Sequence, residues 1–261
     1  MTGAGMVADR RWVRGGSGTA SRHLVLLPHA GAGASAFFSW LAARDHDVEH
    51  YAVQYPGRGS RLDEEPPASI PELARDTLIT LDRVGAGPVV LLGHSMGGLV
   101  ALETAHLLSR DGRPPAALVV TGCAPPHTPR TDLPDTFDDD ALADWLRHSG
   151  GTAAEVLDEP QLLRLILPAL RADLAAIVGY RPAARPPLTC PIIAMAGTGE
   201  RTLDRATLAG WREYTTGPCH LHAYRGGHFA LYQQRDRVLN LVRTLVGTGP
   251  ADRPATETDH G

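Results

Sequence analysis

The sequence predicts an α/β protein with a mostly parallel central sheet, helices on both faces and an inserted helical lid. Three observations carry this. Short β-rich apolar runs alternate with stretches of helical periodicity, the pattern of a parallel sheet covered on both sides. A Gly93-His94-Ser95-Met96-Gly97 turn sits at one strand-to-helix junction. One long segment, between the runs at 117–121 and 191–196, has no strand signal and reads as helix.

The elements follow in order. Residues 1–19 and 249–261 are polar and rich in Gly and Pro, and are expected to be flexible tails on a single domain at 20–248. The expected strands are His23–Leu27, Tyr51–Tyr55, Pro88–Leu92, Ala117–Thr121, Pro191–Ala196 and His220–Tyr224. Helical patterns lie near 36–43, 71–84, 98–110, 204–214 and 235–246. The lid insertion spans 125–185. It opens with a Pro/Thr-rich loop at 125–136, then a helix over Asp138–His148 and a longer one over Pro160–Tyr180. Leu162, Ile166, Leu170, Leu174, Ile177 and Val178 would share one face of the second helix. Leu163, Leu165 and Leu167 make it apolar on more than one side, and Pro168 should kink it. Such a helix either packs between layers or covers a channel for an apolar substrate.

Composition removes several classes of function. All 25 basic residues are arginine, which excludes a catalytic lysine, a Schiff base and a P-loop lysine. The net charge of −4, with no basic stripe, argues against nucleic-acid binding. The 3 cysteines show no CxxC spacing, so neither a disulfide framework nor a structural metal site is expected. The N-terminus lacks the apolar core of a signal peptide. Leu24–Ala43 carries no charged side chain, but Pro28, Gly31 and Gly33 interrupt it, so no membrane span is expected. A cytoplasmic monomer is the default expectation.

Ser95 carries the chemistry. In G-x-S-x-G between strand and helix, the serine occupies a strained turn that lifts its hydroxyl above the sheet edge. Small residues two positions either side are then obligatory. The helix that follows directs its N-terminal partial positive charge at the reacting oxygen. His228, in Arg225-Gly226-Gly227-His228-Phe229, follows the last expected strand and is the candidate base. His29 and His94 read as structural neighbours of the site. An oxyanion hole would pair the backbone N–H of Met96 with that of Ala30, in the small-residue loop Pro28–Gly33.

Six blocks together resemble the type II thioesterases, the stand-alone editing enzymes of polyketide and nonribosomal peptide synthases. They are Pro28-His29-Ala30-Gly31, Gln54-Tyr55-Pro56-Gly57-Arg58, the Gly93–Gly98 elbow, Leu167-Pro168-Ala169-Leu170-Arg171-Ala172-Asp173, Cys190-Pro191-Ile192 and Gly226-Gly227-His228-Phe229. The resemblance runs from about residue 22 to 246 in family order. It implies an α/β-hydrolase fold, no metal and no cofactor. It also implies hydrolysis of aberrant or stalled acyl groups from the phosphopantetheine arm of an acyl or peptidyl carrier protein. Arg58 and Arg61 are expected at the surface, either as contacts for an acidic carrier or simply solvated. A general carboxylesterase or lipase, and a weakly active acyl- or carrier-binding protein, are the competing readings.

One position departs from the family pattern, which has Asp in a Gly-x-x-Asp setting after the strand at 191–196. Here Gly197-Thr198-Gly199 leads to Glu200. Glu200 precedes His228 in the chain, as the serine–acid–histidine order requires, and glutamate serves in this role. The catalytic set expected is therefore Ser95, His228 and Glu200. Asp204 is the rival acid, although its place before the stretch 204–214 suits a helix N-cap.

Overall fold

The computed structural model describes residues 6–16, 20, 22–42, 48–85, 87–130, 133–200 and 202–247. Among the described residues, eight strands form one sheet: β1 (Val7–Ala8), β2 (Trp12–Gly15), β3 (Arg22–Leu27), β4 (Val48–Val53), β5 (Val89–His94), β6 (Ala117–Thr121), β7 (Ile192–Gly197) and β8 (Cys219–Tyr224). Their order is β1-β2-β4-β3-β5-β6-β7-β8. From β4 to β8 every pairing is parallel, while β2 runs antiparallel to both its neighbours.

The central strands β3, β5, β6 and β7 are largely apolar because both faces are covered. In β3, alternate residues separate cleanly. Val25 and Leu27 join the larger core, with residues of α2 (Ile70–Leu81), α3 (Met96–Arg110) and the lid. Leu24 and Leu26 join the second core, with Trp40 of α1 (Phe38–Leu41) and Val238 of α8 (Arg235–Gly247). The remaining helices are α4 (Asp139–Ser149), α5 (Ala154–Leu157) and α6 (Pro160–Gly179) in the insertion, and α7 (Arg205–Ala209) after β7. Among the described residues, no helix is long and apolar enough to cross a membrane.

Four expectations need correction. Residues 7–15, expected within the N-terminal tail at 1–19, form β1 and β2 on the sheet edge. Trp12 pairs with Val53 and meets the Tyr51 ring edge-on, at 5.5 Å between centroids. Arg11 is ion-paired to Asp76 on α2. These strands are too short for periodicity to reveal them. The expected helix at 204–214 breaks after Ala209 into a 3-10 turn, Gly210–Tyr214, whose Trp211 Nε1 donates to Cys123 O at 2.9 Å. The stretch near 36–43 is a 3-10 turn, Ala34–Phe37, followed by α1; Ala43 lies outside the described residues. On α6, Leu170 and Leu174 are buried, but Leu162 and Val178, expected on the same face, are exposed. The tail expected at 249–261 also lies outside the described residues.

Candidate active site

The strand-to-helix turn between β5 and α3 sets Ser95 at φ 54°, ψ −121°. Among the described residues it is the one non-glycine residue at positive φ, a strained conformation concentrated at functional sites. The glycines around it are there for space. A Cβ on Gly93 would lie 2.0 Å from Gly97 O, and one on Gly97 would lie 2.1 Å from Leu27 O. A Cβ on Gly98 would lie 2.8 Å from the Cys123 side chain, where α3 crosses β6. Ser95 N–H donates to Thr121 O at 2.8 Å, which fixes the turn to the neighbouring strand. Met96 opens α3, so its N–H has no intrahelical acceptor.

The loop after β3 folds into a turn in which Ala32 N–H donates to His29 O at 3.1 Å, with Gly31 at φ 78°. His29 Nδ1 lies 2.6 Å from the Tyr232 hydroxyl. Burial lowers the His29 pKa to about 3 and pushes that of His94 well below the ordinary range, so both rings are neutral. His94 Nδ1 is 2.9 Å from Thr121 Oγ1, and its ring lies 4.7 Å from that of His228. Both rings therefore act as packing beside the base without adding charge to it.

The turn after β7 brings Glu200 to His228. Glu200 Oε2 lies 2.7 Å from His228 Nδ1. The other oxygen, Oε1, accepts Gly197 N–H at 2.8 Å, and Glu200 N–H donates to Gly197 O at 3.0 Å. The longer side chain is thus folded back over its own turn. Gly197 does not supply a left-handed conformation here. Its role is close approach: a Cβ there would lie 2.3 Å from Gly226 O in the loop that carries His228. Asp204 is the N-cap of α7, its carboxylate accepting Thr207 N–H at 2.7 Å.

Ser95, Met96, Ala30, His228 and Glu200 all line one cavity of about 820 Å³. Beyond them its wall is mostly apolar, with Leu133, Trp145, Val156, Ile166, Leu170 and Leu174 contributed by the insertion. Among the described residues, no group of three or more His, Cys, Asp or Glu is placed to hold a metal ion.

A family model for the thioesterase domain matches residues 22–246. The chain belongs to the thioesterase family. It is 40% identical over 235 residues to thioesterase PikA5 of Streptomyces venezuelae, a match covering 88% of this chain and 83% of that protein. It is 36% identical to a probable cadicidin biosynthesis thioesterase of Streptomyces griseus, covering 82% of this chain and 60% of that protein. The solved structure of the type II thioesterase BorB, from the borrelidin biosynthetic cluster, superposes with a TM-score of 0.81 at 34% identity, covering 92% of this chain and 99% of that one. The thioesterase thus has the α/β-hydrolase fold and is a hydrolase.

Two arginines of this thioesterase are not where the sequence suggested. Arg58 and Arg61, read as surface contacts for a carrier, are 6% and 2% exposed. Arg61 is paired with Glu64 at 2.6 Å and Asp76 at 2.5 Å. Arg58 forms a bidentate pair with Asp173 of α6, its Nη2 donating to Oδ1 at 2.9 Å and its Nη1 to Oδ2. The partner of Arg58 lies 115 positions away, so its burial left no local signal. Two blocks quoted for the family resemblance, one ending at Arg58 and the other at Asp173, turn out to meet.

Proposed function

We propose that the protein is an editing thioesterase that removes acyl groups from the phosphopantetheine arm of an acyl or peptidyl carrier protein by covalent catalysis at Ser95. The observation that carries this reading is the 2.7 Å contact of Glu200 with His228 Nδ1, in the same cavity as a serine on a strained elbow. With Nδ1 engaged, the imidazole presents Nε2 as the base. His228 takes the Ser95 proton as Oγ attacks the thioester carbonyl. Charge on the carbonyl oxygen is met by the N–H groups of Met96 and Ala30, and Glu200 stabilises the imidazolium. The thiol leaves, and the acyl-Ser95 ester is hydrolysed by water activated by the same histidine.

The cavity size falls in the range of small-molecule sites, about 300–1,000 Å³, and its apolar wall suits an acyl chain. The likeness to a type II thioesterase from the borrelidin biosynthetic cluster supports a carrier-bound substrate. The test compares turnover of an acyl-carrier thioester, an acyl-coenzyme A and an aryl ester. The carrier thioester should be preferred, and Ser95→Ala should abolish turnover and fluorophosphonate labelling. Preference for the aryl ester would make the protein a general esterase, and residual activity in Ser95→Ala would remove the serine from its role.

A further inference from the structure

We propose that Asp173, on α6 of the insertion, is a positioning residue for the oxyanion loop, acting through the backbone on either side of Ala30. The inference rests on the proposed role of Ala30 N–H in the oxyanion hole.

Asp173 is 0% exposed, and its carboxylate is fully engaged. Beside the two Arg58 contacts, Oδ2 accepts Gly31 N–H at 2.7 Å. Arg58 also reaches the loop, with Nη1 3.4 Å from Ala32 O, and is itself fixed by Nε donating to Pro56 O at 3.1 Å. Gln54 holds the next stretch: its Oε1 accepts Ala34 N–H at 3.1 Å while its Nε2 donates to Arg58 O at 2.8 Å.

Peptide planarity turns these contacts into a direction for one N–H group. The unit between His29 and Ala30 is held by Ala32 N–H on His29 O. The unit between Ala30 and Gly31 is held by Gly31 N–H on Asp173. Each unit is rigid, and the N–H of a trans peptide points opposite its C=O. With both planes fixed, the Ala30 N–H has no remaining soft rotation. Gly31, at φ 78°, would otherwise be free to turn, since glycine tolerates either sign of φ.

A fully buried ion pair is a weak way to stabilise a fold, because apolar residues of similar volume do as well or better. What the pair supplies here is a directed acceptor for Gly31 N–H, with the Arg58 guanidinium bound to the same carboxylate. Because Asp173 belongs to α6, the insertion and the oxyanion loop are one mechanical unit.

The test uses two double variants that both remove the ion pair. Arg58→Met/Asp173→Asn keeps an oxygen acceptor for Gly31 N–H; Arg58→Met/Asp173→Leu has the same shape without one. The Asn variant should keep kcat within a few-fold of the parent. The Leu variant should lose about 10²-fold in kcat, the scale of a misplaced oxyanion donor, at unchanged KM, with a melting temperature lowered by the unpaired Gly31 amide. Equal kcat in the two variants, whether high or low, overturns the positioning role. If the Leu variant does not fold, Arg58→Met/Asp173→Ala leaves the same amide unpaired and replaces it with the same two outcomes. Ser95→Ala runs alongside: activity there breaks the underlying reading of the site, whereas equal double variants with an inactive Ser95→Ala break only the role of Asp173.

Discussion

Glu200, the proposed triad acid, shows how a side chain one methylene longer than aspartate reaches His228 Nδ1. Its Oε1 is tethered to Gly197 N–H, so only Oε2 serves His228. Glu200→Gln should lower kcat by about 10⁴-fold, the scale measured when a triad acid loses its charge. Glu200→Asp should keep substantial activity, since the carboxylate gives up its tether and the turn can close towards His228. Asp204→Asn should leave kcat intact and lower the melting temperature slightly, because Asp204 only caps α7. Steady-state kinetics on the three variants decides the matter, and a crippled Asp204→Asn would reverse the assignment. The candidate set Ser95, His228 and Glu200 could be proposed from the sequence because each sits after a strand among glycines, a local signature. The burial of Arg58 was not legible there. Its partner lies 115 positions away, and nothing in Tyr55-Pro56-Gly57-Arg58 distinguishes a buried guanidinium from an exposed one.

At the scale of elements, six strands of the sheet could be read from short β-rich runs, most plainly β3, β5, β6 and β7, where burial on both faces forces a nearly continuous apolar run. The two N-terminal strands escaped notice, since an edge hairpin of 2 and 4 residues shows no period. In α6 the helix itself was plain and its faces were not. Apolar residues on every side of a helix do not say which side meets the core. The structure selects Ile166, Leu170, Leu174 and Ile177 as cavity wall. Leu170→Trp should therefore shift acyl chain-length preference towards shorter chains, each excluded methylene being worth about 1–3 kcal/mol. A panel of thioesters of graded length measures this. An unchanged preference with a large fall in melting temperature would make the helix mere packing.

At the scale of the whole molecule, buried neutral histidines set the acid limit of stability. Burial lowers His29 from 6.5 to about 3 and His106 from 6.5 to about 4, and lowers His94 as well. Between these values the unfolded chain binds more protons than the folded one. The contribution is complete above pH 6.5 and is lost as the pH falls through the window. The melting temperature should therefore already decline between pH 6.5 and 5, before carboxylates such as Glu64, held below 4.5 by Arg61, begin to titrate. His106→Asn should flatten that part of the curve. A flat curve in the parent over the same interval would contradict the argument.

The anchoring of α6 is lopsided, and that has a kinetic consequence. Arg171 Nε donates to Phe137 O at 2.7 Å, Asp173 is tied to Gly31 and Arg58, and the Tyr180 hydroxyl donates to Glu103 at 2.5 Å just past the helix end. All three ties fall after Pro168, whose ring nitrogen cannot bond to the carbonyl four residues back. Before it, Leu165 is 50% exposed and Leu162 40%. Amide hydrogens of residues 161–167 should thus exchange with deuterium well before those of 170–179, at rates set by local opening and not by global unfolding. An acyl chain entering the cavity would find one half of its ceiling yielding and the other half, tied through Asp173 to the loop proposed to hold the oxyanion, kept in register.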